Sequence, residues 1–265
     1  MQIEVGQAGM HRILAALLLV LPATVRGFAE GEQAAAWRHF LNEAAQTEPS
    51  LIYPYELCFR RAAAAHALPL SLLLALARGE SDFDASARSH ANAHGLMQIL
   101  WPDTAHHLGI QRLSQLYDPC TNVEAGARYL AELLARYDGD LHRALAAYNY
   151  GPKRISRGDG AIPAGAEWYS AYIYRHLGYV LGARNPRSQP GARAYAEEGK
   201  IELAVFAAPY RAAAFVQTLL AAAPSLRLDW FRVDVARFRV VLLYDGSGDL
   251  ERSRTLLVRA GFPLP

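Results

Sequence analysis

Hydrophobic and polar positions keep a helical rhythm from Tyr55 to Leu181 and a strand rhythm after Ile201. Cys58, Ala62 and Ala65 recur at three- and four-residue spacing, which predicts one helix face turned inward. Pro69 breaks that pattern and suits the first turn of a following helix. Leu70 to Gly79 is apolar nearly all round, as a fully buried helix is. Residues 81 to 95 are rich in Ser, Asp, Asn, His and Gly and predict a long loop of the kind that carries function. A short helix is expected within Met97 to Gly109. Thr121 with Glu124 reads as a capping box opening a helix that carries Gly126, Leu130, Leu133, Leu134 and Tyr137. Asp138-Gly139 ends it, and Asp140 caps a helix through Leu141, Leu145 and Tyr148 that stops at Gly151-Pro152. Trp168 to Leu181 is a last, aromatic-rich helix, and no strand signal occurs in this half.

Past a Pro/Gly-rich stretch, Asn185 to Gly191, the period changes. Ile201 to Phe206, Leu228 to Val235 and Phe238 to Tyr244 alternate like strands, while Arg211 to Ala222 and Leu250 to Ala260 read as helices. The order β-α-β-β-α predicts a small α+β module after a mainly α domain. The boundaries are a leader over 1–29, a lead-in with a short amphipathic helix over 30–54, the helical domain over 55–184, a linker over 185–199 and the module over 200–265. The chemistry is complete by Leu177 on this reading, so the module is expected to fold separately as an accessory.

Composition changes this picture little. With 265 residues, 52% hydrophobic and 20% charged, the chain is globular. A net charge of +2 without any basic run gives no footprint for nucleic acid. The N-terminus matters more. His11-Arg12, the apolar run Ile13 to Leu21, Pro22 and the small residues around Gly27-Phe28-Ala29 read as a secretory signal, with Met10 a more typical start. The run is too short to span a bilayer of about 30 Å as a helix; the other reading is an uncleaved anchor. An exported, periplasmic protein without a membrane span after signal removal is expected. Export to an oxidising compartment then favours a disulfide between Cys58 and Cys120, the only two cysteines, over two buried thiols.

Candidate chemistry centres on Glu80, in Arg78-Gly79-Glu80-Ser81 at the end of the apolar helix. Cleaving a glycosidic bond near neutral pH needs a carboxyl group that stays protonated. Desolvation after an apolar helix and the unfavourable dipole at its C-terminus both disfavour a charged Glu80. Asp82 and Asp84 are the nearby candidates for a second carboxylate, but loop aspartates usually form turns.

Glu80-Ser81, Gly95-Leu96-Met97-Gln98-Ile99 and Ala147-Tyr148-Asn149-Tyr150-Gly151-Pro152, in this order and at these intervals, resemble the catalytic domain of the soluble lytic transglycosylase (SLT) family, whose fold is related to goose-type lysozyme. The resemblance covers Cys58 to Leu177. It implies a lysozyme-like domain that cleaves the MurNAc–GlcNAc β-1,4 bond of peptidoglycan with no metal or cofactor. Glu80 would be the sole general acid and base, and the substrate acetamido group would assist, giving a 1,6-anhydroMurNAc end. By position, Ser89 and Gln98 look like sugar-contacting residues. Met97 would wall the cleft or sit in the core. Tyr148 would bond near Glu80 and Asn149 would hold the adjoining turn. Tyr172 looks like a final family tyrosine, but its spacing is one residue off, which leaves Tyr169 and Tyr174 in play. Asn92 stands where the family has a glycine and tolerates positive φ better than most residues.

The cysteines around Cys58-Phe59 and Asp118-Pro119-Cys120 resemble a subgroup that accompanies secretion, conjugation or pilus assembly machines. The tail, at Leu203 to Phe215 and Phe238 to Tyr244, resembles the SPOR peptidoglycan-binding module, without its usual glutamine-glycine pattern. The other reading of the tail is an accessory domain that packs on the catalytic half or docks a partner. For the whole chain the alternatives are a hydrolytic muramidase and a non-catalytic wall-binding scaffold.

Overall fold

The structure is a computed structural model and describes residues 30–158, 160–182, 194–195 and 198–264. The signal segment and most of the linker lie outside the described residues. Helix α1 (Glu30–His39) continues through a π-type turn, Phe40–Ala44. It docks through Trp37, whose indole N–H donates to Ser170 Oγ at 2.7 Å. Helix α2 is Glu56–His66 and α3 is Leu70–Ser81. Every residue of α3 from Ser71 to Glu80 is buried, as its nearly unbroken apolar surface requires. Burying each of its leucines stabilises the fold by about 2 kcal/mol.

The loop after α3 holds a two-stranded ribbon, β1 (Ala93–His94) with β2 (Ile99–Leu100). The sequence reading of a helical half without strands is thus corrected; two residues per strand are too few to show alternation. A short helix, α4 (Asp103–His107), and a 3-10 turn, Leu113–Tyr117, lead to α5 (Pro119–Arg136). The cap of α5 is Asp118, not Thr121: Asp118 Oδ1 accepts from the Thr121 N–H at 2.8 Å, and Pro119 takes the first helical position. Asp140 caps α6 (Leu141–Tyr150) as expected, accepting from the Arg143 N–H at 3.1 Å. Helix α7 (Ala164–Val180) crosses α3 at Gly79, where a Cβ would meet Ile173 at 2.8 Å. The Cys58–Cys120 disulfide is formed and joins α2 to the first turn of α5 across a sequence separation of 62.

The C-terminal region has the expected β-α-β-β-α order: β3 (Gly199–Phe206), α8 (Pro209–Ala222), β4 (Leu228–Asp234), β5 (Arg237–Tyr244) and α9 (Gly246–Arg259). The sheet is antiparallel in the order β3-β5-β4. Central strand β5 is buried from Val240 to Leu243, so both faces of the sheet are covered. Helices α8 and α9 pack on the sheet, and β4 lies along α3. Trp230 meets Tyr172 of α7 at 4.9 Å between ring centroids, and Phe238 meets Trp168 at 5.5 Å.

Charge is buried in this seam. Arg78 of α3 is fully buried, donates to Asp229 Oδ2 of β4 at 2.6 Å, and lies 3.6 Å over the Tyr179 ring. Arg175 of α7 pairs with the other Asp229 oxygen. The module lies against the helical half at this seam. Two arginines of the helical half have their counter-ion on the module's strand, and a single hydrophobic cluster runs through both regions.

Candidate active site

Glu80 stands on the last full turn of α3, its side chain 2% exposed, at the wall of a cleft of about 1020 Å³. Ser81 tethers the helix end: its hydroxyl donates to the Leu96 carbonyl at 2.8 Å. That bond ties the Glu-Ser pair to the Gly95–Ile99 motif. Gly95 has a φ of +74°, and a Cβ there would meet the Leu116 carbonyl at 2.3 Å, so only glycine fits. Buried Asn122 fastens the same turn, accepting from the Met97 N–H at 2.7 Å and donating to the His94 and Leu116 carbonyls, each at 2.9 Å. Asn92 adopts φ +64°, the left-handed conformation expected of it.

Ser89, Gln98, Tyr148 and Asn149 all line the cleft with Glu80. Ser89 Oγ accepts from the Ala93 N–H at 3.1 Å, so it braces the β1 turn while lining the cleft. Gln98 donates its amide to the Gly95 carbonyl at 3.0 Å. Tyr148 donates to the Met97 carbonyl at 2.8 Å, which pins α6 to the motif loop. Burial, then the Glu80 charge, push its phenol well above the ordinary value, so it stays a donor.

Two of the candidate residues do not line the cleft. Met97 is fully buried and absent from the cleft; its side chain fills the space over Gly126, whose Cβ would meet it at 2.5 Å. Tyr172 is buried beneath the site. It donates to the Gly79 carbonyl at 2.7 Å and accepts from the Arg232 N–H at 2.9 Å. Burial pushes its phenol up to about 12. Of the three tyrosines left in play, Tyr169 is the one that meets Glu80, donating to Oε1. Tyr174 packs instead on Trp37. Tyr169 is fully buried, and burial followed by the Glu80 charge holds its phenol well above its usual value.

The nearby aspartates are occupied elsewhere. Asp82 accepts from Lys200 Nζ at 2.6 and 2.7 Å and from Tyr195. Asp84 accepts from the Ser86 N–H and hydroxyl at 2.8 and 2.6 Å, a turn. Neither lines the cleft; the other carboxylates that do, among the described residues, are Asp103 and Asp234.

Arg232 of β4 was not foreseen. Its Nη2 donates to Glu80 Oε2 at 2.5 Å and its Nη1 to Asn149 Oδ1. Burial is the largest single influence and opposes the Arg232 cation, but the Glu80 carboxylate together with the Tyr169 and Tyr172 hydroxyls holds the guanidinium above its ordinary value. Only one sequence signal bore on it: an arginine inside an alternating strand, which ordinarily means an exposed position. A bulge between Arg232 and Asp234 bends the strand here, a device that re-aims side chains beside sites.

Helices and one strand thus enclose a cleft whose wall carries one buried carboxylate, Glu80. The chain matches the family model of the transglycosylase SLT domain over residues 57–168. It is 35% identical over 108 residues to the soluble lytic murein transglycosylase of Escherichia coli K12, covering 38% of this chain and 17% of that protein. It is 32% identical over 131 residues to the transglycosylase of Enterobacteria phage PRD1, covering 49% and 46%. Membrane-bound lytic murein transglycosylase C of Haemophilus influenzae PittEE is 34% identical over 150 residues, covering 49% and 41%. The chain thus spans less than half the length of these relatives. Among solved structures, the 70 kDa soluble lytic transglycosylase of Escherichia coli aligns with a TM-score of 0.44 at 25% identity, over 65% of this chain and 33% of that one.

Proposed function

We propose that the protein is a peptidoglycan lytic transglycosylase with Glu80 as its only acid and base. The observation that carries this reading is one buried carboxylate facing a cleft that the SLT motif residues line, with Asp82 and Asp84 tied up outside it. Protonated Glu80 gives its proton to the glycosidic oxygen as the C1–O bond breaks. The substrate acetamido group steadies the cationic centre, a known substitute for a second carboxylate. The Glu80 carboxylate then takes the proton of the muramic C6 hydroxyl as that oxygen closes on C1. Glu80 ends protonated, no water is consumed, and the product carries a 1,6-anhydro ring.

The relatives' names, murein transglycosylases, support the substrate class. The formed disulfide supports export, since such bonds persist in oxidising compartments. Among the described residues no helix is long and apolar enough to cross a membrane. Periplasmic action on glycan strands, beside a secretion, conjugation or pilus machine, is the setting we infer. Mass spectrometry of products from purified sacculi tests the reaction. Anhydromuramic ends are expected; reducing muramic ends would identify a hydrolase. Glu80→Gln should lower turnover at least about a hundredfold, while Asp84→Asn keeps substantial activity.

A further inference from the structure

We propose that Arg232, supplied by the C-terminal module, is a positioning residue of the active site that aims the Glu80 carboxyl and decides which of its oxygens carries the proton. This inference rests on Glu80 being the acid and base.

The two oxygens of Glu80 have unlike neighbours. Oε2 faces the Arg232 guanidinium at 2.5 Å, and Oε1 faces the Tyr169 hydroxyl. A guanidinium can only donate, whereas a phenol can donate or accept. Protonation at Oε2 would set an O–H against a cation. Protonation at Oε1 needs only that the Tyr169 hydroxyl turn from donor to acceptor. The proton therefore resides on Oε1, and Arg232 keeps Oε2 as a fixed acceptor through both steps.

The geometry is built for this. The Arg232 backbone N–H is anchored on Tyr172, which in turn grips the Gly79 carbonyl next to Glu80. The guanidinium spans Glu80 and Asn149, so α3, α6 and β4 meet at one side chain. The bulge that follows lays Val233, Asp234 and Val235 along the cleft, and Val235 is 69% exposed there. The module thus contributes a wall of the cleft as well as the cation.

Charge gives the role a signature. The groups facing Glu80 are Arg232 from β4, Tyr148 from α6, and Tyr169 and Tyr172 from α7; the His90–Asp234 pair stands on the rim. Arg232 is the one cation among those in contact. An opposite charge this close favours the ionised carboxylate.

The test is the pH profile of kcat/KM on soluble glycan fragments for the full-length protein, Arg232→Gln, Arg232→Lys and Glu80→Gln. Arg232→Gln should move the alkaline limb upward and lower the maximum. Arg232→Lys should keep the limb near its original place but recover only part of the rate, because an ammonium cannot span Glu80 and Asn149 in one plane. Profiles of Arg232→Gln scaled down equally at every pH, or unchanged, would overturn the proposal. If Arg232→Gln does not fold, Arg232→Lys decides alone: a displaced limb, or a full rate, overturns it. An active Glu80→Gln would instead sink the assignment of Glu80 itself, so the two failures are distinguishable.

Discussion

The helical half and the C-terminal sheet bury their apolar surfaces by different means. Helix α3 is enclosed by helices of its own region and by β4, and it is apolar apart from Ser71, Arg78 and its Glu80-Ser81 end. The sheet carries its own helices, α8 and α9, yet β4 still lies on α3 and rings from β4 and β5 pack on rings of α7. The helical half supplies the carboxylate of the site, and the module supplies the cation that grips it. A region added after a complete set of motifs can therefore still be part of the working site. The seam between the regions decides it, and the seam is polar at its centre.

Removing residues 198–264 is the most severe way to break this relation. Arg78 and Arg175 would lose Asp229, and the ring faces of Tyr172 and Trp168 would be uncovered. A chain ending at Gly182 is expected to be insoluble, or to lack cooperative unfolding and activity on small glycan fragments. Circular dichroism melts and a fragment assay check this. A folded, fully active product would show that the seam is dispensable.

Asp229→Ala asks the same question with one residue. It takes the shared counter-ion from buried Arg78 and half-buried Arg175, a change of about 3 to 5 kcal/mol for breaking a buried ion pair. Urea unfolding measures it. Replacing the pair by apolar residues of similar volume would be far milder, because the penalty comes from the stranded charge. Reducing the Cys58–Cys120 bond acts wholly within the helical half. The chain-entropy model gives about 4 kcal/mol as its upper figure for a loop of this length. Paired melts with and without reductant should show a fall no larger than that.

These two regions also differed in how far they could be read from the chain. Glu80, Ser89, Gln98, Tyr148 and Asn149 sit on local words, and a helix end, a tight turn at Gly95 and a helix stop at Gly151 fix each word's geometry. Local chemistry is legible when the residues that make it lie close in sequence. Arg232 lies 152 positions from Glu80, and nothing around it differs from an ordinary strand arginine. Met97 and Tyr172 mark the same limit from the other side. Both lie in or near motif stretches, but their orientation is set by Gly126 and by Gly79, which only the packed structure brings against them. The strands and helices of the module were legible from period alone; where its sheet would dock was not, because Asp229 and Trp230 carry no sequence mark of their partners.

The smallest expected effect comes from the exposed contact between the same two regions. On the rim of the cleft Asp234 of β4 pairs with His90 of the motif loop, and Asp234 Oδ1 accepts weakly from the His90 N–H at 3.4 Å. His90 is 83% exposed at its side chain, so water screens the pair. Burial is the largest single influence and works against the Asp234 charge, but the N–H groups of Val235 and His90 and the imidazole together prevail, and its carboxyl lies below the ordinary value. A carboxylate depressed in the folded state adds stability that is present above its unfolded value and is lost as pH falls through the folded one. Asp234→Asn should therefore change stability by less than about 1 kcal/mol at neutral pH, and by nothing once the medium is acid enough to protonate the native aspartate. Urea titrations of both proteins at neutral and strongly acid pH read this directly. Since Asp229 and Asp234 lie on one strand, five residues apart, a loss for Asp234→Asn as large as that for Asp229→Ala would mean that the seam is held by its charge total and not by the burial of its centre.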